Sequence, residues 1–386
     1  MTQRTICLEK YKHSLFLLGP RQTGKTYLIK NTLSPVIFID LLKHSEFMRY
    51  ARDVSLLSGE VRALNIEEGL IVIDEIQRLP GLLDEVQLLM EEKPKMKFIL
   101  TGSSARKLKR SGANLLGGRA ITIHLYPFTH MELGDGFILE DALLFGTLPK
   151  IALEKKGEDK IRLLKSYIET YLNEEVTQEA LIRNIPAFAR FQELAAYENG
   201  NLINYQSLAR EVGVHSKTIK EYFQILEDTL LGFFIYPYGR SSRTKIVSHP
   251  KFYFFDCGIV ACLKNVIYSG LVAGTPPYGR AFEHFIMVET KRILDYSEAA
   301  SKMSFFRTSD GAEIDMILEF RDEIWAVEIK ASGEPRLSDV RGLRSFISDH
   351  GHTRAICVCF TPRPYKYEKI EFLPWRDFMG QLPRPL

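Results

Sequence analysis

GPRQTGKT, Gly19 to Thr26, lies between the apolar run SLFLL (Ser14 to Leu18) and TYLIKNTL, whose apolar residues have helical spacing. The stretch fits G-x-x-x-x-G-K-[ST], a turn of backbone amides that wraps an anion. SLFLL is short and uninterrupted, as a buried parallel strand requires. The turn therefore falls between a strand's C-terminal end and a helix's N-terminus, where unpaired amides and the helix dipole favour phosphate. Gly19 and Gly24 let the backbone curl, with Pro20, Arg21, Gln22 and Thr23 lining the turn between them. Lys25 would reach the β- and γ-phosphates of ATP, and the Thr26 hydroxyl would hold Mg²⁺. Tyr27, Leu28 and Leu33 are expected to pack the helix against its sheet.

Working outward, GLIVIDEIQ offers a buried strand, Leu70 to Ile73, with two acids at its tip. Asp74 would bind Mg²⁺ through water, and Glu75 is placed to orient or deprotonate an attacking water. KFILTGSSA again runs from strand to polar tip. There Ser103 or Ser104 would contact the γ-phosphate or the water, or Ser103 would cap a helix beginning at ARKLKR. LLGGRAITIHL sets Arg119 just ahead of another strand, where it would reach the nucleotide of a neighbouring subunit in a homo-oligomer or serve only as a surface charge. Strands alternate with helices from Ser14 to about Leu125, the pattern of an α/β parallel sheet covered on both faces.

The order of GPRQTGKT, LIVIDEIQ, LTGSSA and LGGR resembles the AAA-type ATPases. It is similar in particular to a prokaryotic family in which such a module is fused to a C-terminal domain of unknown function. The resemblance covers nearly the whole chain. It implies binding and hydrolysis of ATP; the motifs themselves offer Lys25, Glu75 and Arg119 as the catalytic residues and Mg²⁺ as the metal.

YPFTHMELGDG, with Pro127 and Gly134 to Gly136, breaks the pattern, and a helical stretch including SYIETYLNEEVTQEALI follows. NYQSLAREVGVHSKTIKEYFQILEDTLLGFF then carries apolar stripes at Leu208, Ala209, Val212, Val214, Ile219, Tyr222, Phe223 and Leu226, with Gly213 at the turn. It resembles a winged helix-turn-helix. Such a unit would either present Ser216, Lys217, Thr218 and Lys220 to the major groove of double-stranded DNA or pack only against protein. Arg240, Arg243, Lys245 and Lys251 in YGRSSRTKIVSHPK would form a basic wing.

In the last third, KFYFFDCGIVACL holds Asp256 and Gly258, found in a recurrent segment of the family, and GRAFEHFIMVETKRIL carries Glu283 near its start. FFRTSDGAEIDMILEFRDEIWAVEIKAS reads as strand, turn at Arg321 to Asp322, strand. Alternation puts Glu313 and Asp315 on one face of the first strand, and Glu328 and Lys330 on one face of the second. This resembles the PD-(D/E)xK restriction-endonuclease fold, with Ile314 where the motif name has proline. The resemblance implies a nuclease Mg²⁺ held by Glu283, Asp315 and Glu328, with Lys330 stabilising developing charge. The alternatives are an exposed hairpin edge studded with charges, or a fold kept for binding without cutting.

The bulk numbers agree with this division. A chain of 386 residues suggests two or three domains at about 150 residues each. The expected parts are an ATPase module over 1–136, a helical and winged-helix part over 137–250, and a nuclease-like part over 251–386. Hydrophobic and charged fractions of 45% and 26% are those of a globular protein. No apolar run is long enough for a membrane span and MTQRTICLEK lacks a signal peptide's apolar stretch, so a cytoplasmic protein is expected. Five cysteines form neither a disulfide scaffold nor a zinc pattern, and Cys357 and Cys359 in AICVCF alternate as on a buried strand. A net charge of +3 does not by itself argue for nucleic acid. The expectation is an ATP-hydrolysing switch acting on DNA, or else an ATP-gated binding or signalling module with an inactive nuclease fold.

Overall fold

The strand ahead of Gly19 is β1 (Ser14–Leu18), and all of it is buried. This computed structural model describes residues 2–104, 116–175, 182, 184–239, 249–308 and 311–384. The ARKLKR segment and the wing residues Arg240, Arg243 and Lys245 lie outside them. The chain divides into two compact units, one built mainly on Met1–Pro127, the other on Phe128–Asn173, Asn184–Phe223 and Gly232–Leu386.

In the first unit β1 joins β2 (Ile37–Asp40), β3 (Gly69–Asp74), β4 (Met96–Gly102) and β5 (Ala120–His124) in a five-stranded sheet of order β2-β3-β4-β1-β5. Every pairing is parallel. Parallel neighbours need crossovers, and helices such as Lys25–Thr32 and Leu82–Glu92 supply them. The core is the apolar face these elements share, with Phe16, Leu18, Ile71, Ile73, Phe98 and Leu100 at its centre. In the helix Lys25–Thr32 the buried apolar residues are Leu28 and Ile29. Tyr27, expected to pack, is 54% exposed, because the helix turns its 28–29 edge to the sheet. The strand order sets the C-terminal tips of β3, β4 and β1 side by side, the place where open α/β sheets bind ligands.

The second unit holds β6 (Gly232–Pro237), β7 (Lys251–Phe254), β8 (Lys302–Arg307), β9 (Glu313–Glu319), β10 (Ile324–Ile329), β11 (Thr353–Cys359), β12 (Tyr365–Tyr367) and β13 (Ile370–Pro374). They form one mixed sheet of order β12-β13-β11-β10-β9-β8-β6-β7. Strands on both sides of residue 250, where the sequence suggests a boundary, thus share a sheet, with Gly232 opposite Phe254. Residues after Pro127 also belong here: Thr129 caps His130–Leu133 with a capping box, and Phe137 packs 5.7 Å from Phe285 and from Trp375. The long helix Pro276–Ser297 is buried along most of its length, with Phe282, Phe285 and Ile286 in the core. Cys357 and Cys359 are buried free thiols of β11.

A buried polar network ties this unit together. Arg292 donates to the carbonyls of Phe128 (3.1 Å) and Phe255 (2.8 Å) and to Thr147 Oγ1 (2.8 Å), beside the carboxylates of Asp256 and Glu289. Asp256 caps the helix Cys257–Leu263 through the Gly258 amide and accepts from the Thr147 amide. A Cβ at Gly258 would stand 2.1 Å from the Phe145 carbonyl oxygen, so the aspartate and glycine of KFYFFDCG serve packing and capping.

The helices Tyr205–Val212 and Ser216–Asp228 meet across Gly213 at φ 79°, a left-handed turn that glycine adopts without strain. Their stripe residues Leu208, Ala209, Val212, Ile219, Tyr222, Phe223 and Leu226 are buried, while Lys217 and Lys220 are exposed. Among the described residues no helix is long and apolar enough to cross a membrane.

Candidate functional site

Three strand tips build the site of the first unit. Beyond β1, Gln22 (φ 62°) and Gly24 (φ 92°) take left-handed conformations, and the helix starts at Lys25. A Cβ on Gly24 would meet nothing within 4 Å, whereas one on Gly19 would stand 2.2 Å from the Leu125 carbonyl oxygen. Gly24 is thus needed for its dihedral, Gly19 for close approach. Lys25 is buried, and its ammonium donates back to the carbonyls of Gly19 (2.7 Å) and Pro20 (3.1 Å). Burial pulls its pKa below the ordinary lysine value, opposed by the charges of Glu75 and Asp74. A cation held under a loop of amides is a fixed anchor for polyphosphate.

From β3, Asp74 is buried, accepting from Thr26 Oγ1 at 2.6 Å and from Thr101 Oγ1. Burial raises its carboxyl above the usual range, and the two hydroxyls oppose that shift. The side chains of Thr26 and Asp74, on separate elements, therefore present oxygen atoms together, the chemistry Mg²⁺ prefers. Glu75 adopts φ 62° and ψ 46°, a conformation uncommon for a residue with a side chain, and its amide donates to Thr101 Oγ1 at 3.0 Å. Gln77 Nε2 bridges the Glu75 carboxylate and Ser103 Oγ, the latter at 3.0 Å. Ser103 thereby joins the acid pair through a side chain. Sequence reasoning missed Gln77 and Thr101, although both stand inside the quoted motifs.

Arg119 precedes β5, whose register pairs Ala120 with Ser14 and His124 with Leu18. It sits at the end of the sheet away from the loop, half exposed and 2.8 Å from Glu91.

In the second unit, Glu283, Glu313, Asp315, Glu328 and Lys330 line one cleft of about 460 Å³ together with Lys251, Arg307 and Arg341. Glu313 and Asp315 reach this cleft together, as the alternation suggests, although β9 is not regular around them. Ile314 and Met316 enter different core clusters, and the β8/β9 register shifts between Ser304 and Phe306. Such a bulge re-aims side chains beside it. Glu328 and Lys330 do share a face and pair at 2.7 Å. Lys251, expected in the basic wing, is 3% exposed and pairs with Glu313 Oε1 at 2.7 Å, because β7 carries it into the unit. Burial would lower its pKa, but the charges of Glu283, Asp315 and Glu313 outweigh that and raise it. Burial, then Asp315, pushes Glu283 up to about 7 and Glu328 well above the carboxylate range.

The residues do not fit the expected nuclease Mg²⁺. Glu283 accepts from Tyr253 Oη (2.7 Å), Asp315 from the Ile329 amide (2.8 Å), Glu313 from Lys251 and Arg307, and Glu328 from Lys330. Among the described residues no three carboxylate, histidine or cysteine groups gather closely enough to hold a metal.

Residues 11–134 match the family described as AAA domain. Residues 137–269 and 278–378 match two domains of unknown function, DUF8612 and DUF4143. An uncharacterized protein of Mycobacterium tuberculosis is 27% identical over 337 residues, 87% of this chain and 74% of that protein. One of Haemophilus influenzae is 23% identical over 300 residues, 74% and 71% of the respective chains. Among solved structures, a Bacillus subtilis DNA clamp loader delta protein shares 14% identity over 56% of this chain and 84% of that chain, with a TM-score of 0.23. A Vibrio cholerae protein shares 11% over 95% and 91%, with a TM-score of 0.20.

Proposed function

We propose that this chain, whose N-terminal part is an AAA domain of the P-loop type, is an ATP-binding and ATP-hydrolysing switch of the cytoplasm. The observation that carries the reading is the convergence of Lys25, Thr26, Asp74 and Glu75 on one strand-tip crevice, with Thr26 Oγ1 2.6 Å from Asp74. Gly19 to Thr26 grip the polyphosphate with backbone amides, and Lys25 adds its charge. Thr26 and Asp74 would hold Mg²⁺, which when bound neutralises charge on the phosphoryl group. Glu75 takes the proton of the attacking water, and Gln77 steadies its carboxylate against Ser103. Arg119 stands too far along its own sheet to act on its own nucleotide and serves that of a neighbouring subunit.

The winged-helix part and the nuclease-like part form the output that engages double-stranded DNA. Support comes from the exposed Lys217 and Lys220 at the start of the second helix of the pair. Replacing both by alanine is expected to flatten the salt dependence of duplex binding by about one unit of slope per lysine; an unchanged slope removes the DNA reading. The hydrolytic reading is tested by Glu75→Gln. ATP binding persists and turnover falls by about 10²–10⁴-fold, whereas turnover at the wild-type rate contradicts the assignment of Glu75.

A further inference from the structure

We propose that the cleft of the second unit carries its own cation, the ammonium of Lys251, where a metal-dependent nuclease would hold a divalent ion, and that this part of the chain binds without cutting. The claim goes beyond the ATP switch and rests on the nuclease-like reading only for the kind of ion displaced.

Lys251 begins β7 and is 3% exposed, and a lysine stays charged at such depth only when paired. Its ammonium lies 2.7 Å from Glu313 Oε1 and 5.3 Å from the centre of the Phe305 ring, so it is fixed from two sides. Glu313 is held at its other oxygen by Arg307 at 3.0 Å. Lys330, the lysine of the sequence motif, is spent on Glu328 at 2.7 Å, and Asp315 on the Ile329 amide at 2.8 Å. One oxygen, Glu328 Oε2, is buried without a hydrogen-bond partner. Among the described residues no three carboxylate, histidine or cysteine groups gather closely enough to share a metal, whereas Mg²⁺ demands a near-octahedral oxygen shell and sheds its water reluctantly. A dication entering beside the buried Lys251 would also meet a like charge that cannot swing away.

The test is Mn²⁺ binding by the full-length chain, followed by electron paramagnetic resonance, in an Asp74→Asn background that silences the N-terminal acid. The expected result is no Asp315-dependent Mn²⁺ site at millimolar metal while Lys251 is intact. Lys251→Met then gains one site, at least about tenfold tighter, and loses it again on adding Asp315→Asn. One equivalent of Mn²⁺ bound with Lys251 intact and lost in Asp315→Asn overturns the proposal. A folded Lys251→Met chain that gains no site overturns it as well. Should Lys251→Met not fold, Lys251→Gln replaces it, and the Lys251-intact arm stands by itself. Duplex binding without metal, measured on the same material, reports separately on the DNA reading.

Discussion

Replacing Asp74 by asparagine should separate folding from function. Asp74 is 1% exposed and accepts from Thr26 and Thr101. Its charged hydrogen bonds contribute about 1.5–3 kcal/mol each. Against them stands the cost of desolvating a carboxylate, several kcal/mol, which shows as the raised carboxyl of the folded chain. Asparagine keeps the shape, can still accept from one hydroxyl and carries no charge, so the two changes offset. The nucleotide-free protein should therefore unfold within about 4 °C of wild type, a shift of about 1 kcal/mol. Affinity for ATP with Mg²⁺ should fall by about 2–3 kcal/mol, or roughly 30–150-fold. Thermal unfolding without nucleotide and calorimetric titration with ATP and Mg²⁺ read the two numbers. A large loss of stability with unchanged affinity would make Asp74 a structural acceptor only and refute the reasoning.

Gly19→Ala should cost about 1–3 kcal/mol of stability and weaken ATP binding, because its Cβ would meet the Leu125 carbonyl oxygen at 2.2 Å and that atom is backbone; wild-type unfolding and affinity would contradict it. Arg292→Met leaves the buried Asp256 and Glu289 without its guanidinium and should cost about 3–5 kcal/mol of stability, read as a lower urea midpoint; an unchanged midpoint would contradict it. His284 is buried, which holds its pKa down to about 4, and its Nε2–H donates to the Phe254 carbonyl at 2.6 Å. The unfolded chain takes up that proton first as pH falls, so stability is full above pH 6.5 and declines toward pH 4 by about 3 kcal/mol. His284→Gln should remove that part of the acid slope in urea unfolding at pH 7 and 4.5, and an identical slope would show that His284 is not its source.

What could be read ahead of the structure was local. The loop, its strand and the acids of LIVIDEIQ are set by spacing along the chain, and β1 occupies the residues expected of it. Lys251 illustrates the opposite case. Flanked by His249, Pro250 and the lysine- and arginine-rich stretch before them, it reads as one more basic loop residue, and only its place at the start of β7 shows that it is buried against Glu313. The bulge that sends Ile314 and Met316 into different core clusters shifts the register by one residue and leaves no mark in composition. The division at residue 250 hid a strand pairing for a similar reason, since β6 and β7 are joined by antiparallel hydrogen bonds that propensity does not report. Gln77 was present in DEIQ, but its role depends on β3 and β4 being neighbours, a fact of sheet order.

The central claim is that the turn from Gly19 to Thr26 grips polyphosphate through its amides and Lys25. Calorimetric titration of the folded chain with ATP and Mg²⁺, beside Lys25→Ala, tests it most directly. The account predicts one-site binding for the wild type and a loss of at least about tenfold in affinity for Lys25→Ala. A well-folded wild-type chain that gives no binding heat, or a Lys25→Ala chain of equal affinity, would contradict it.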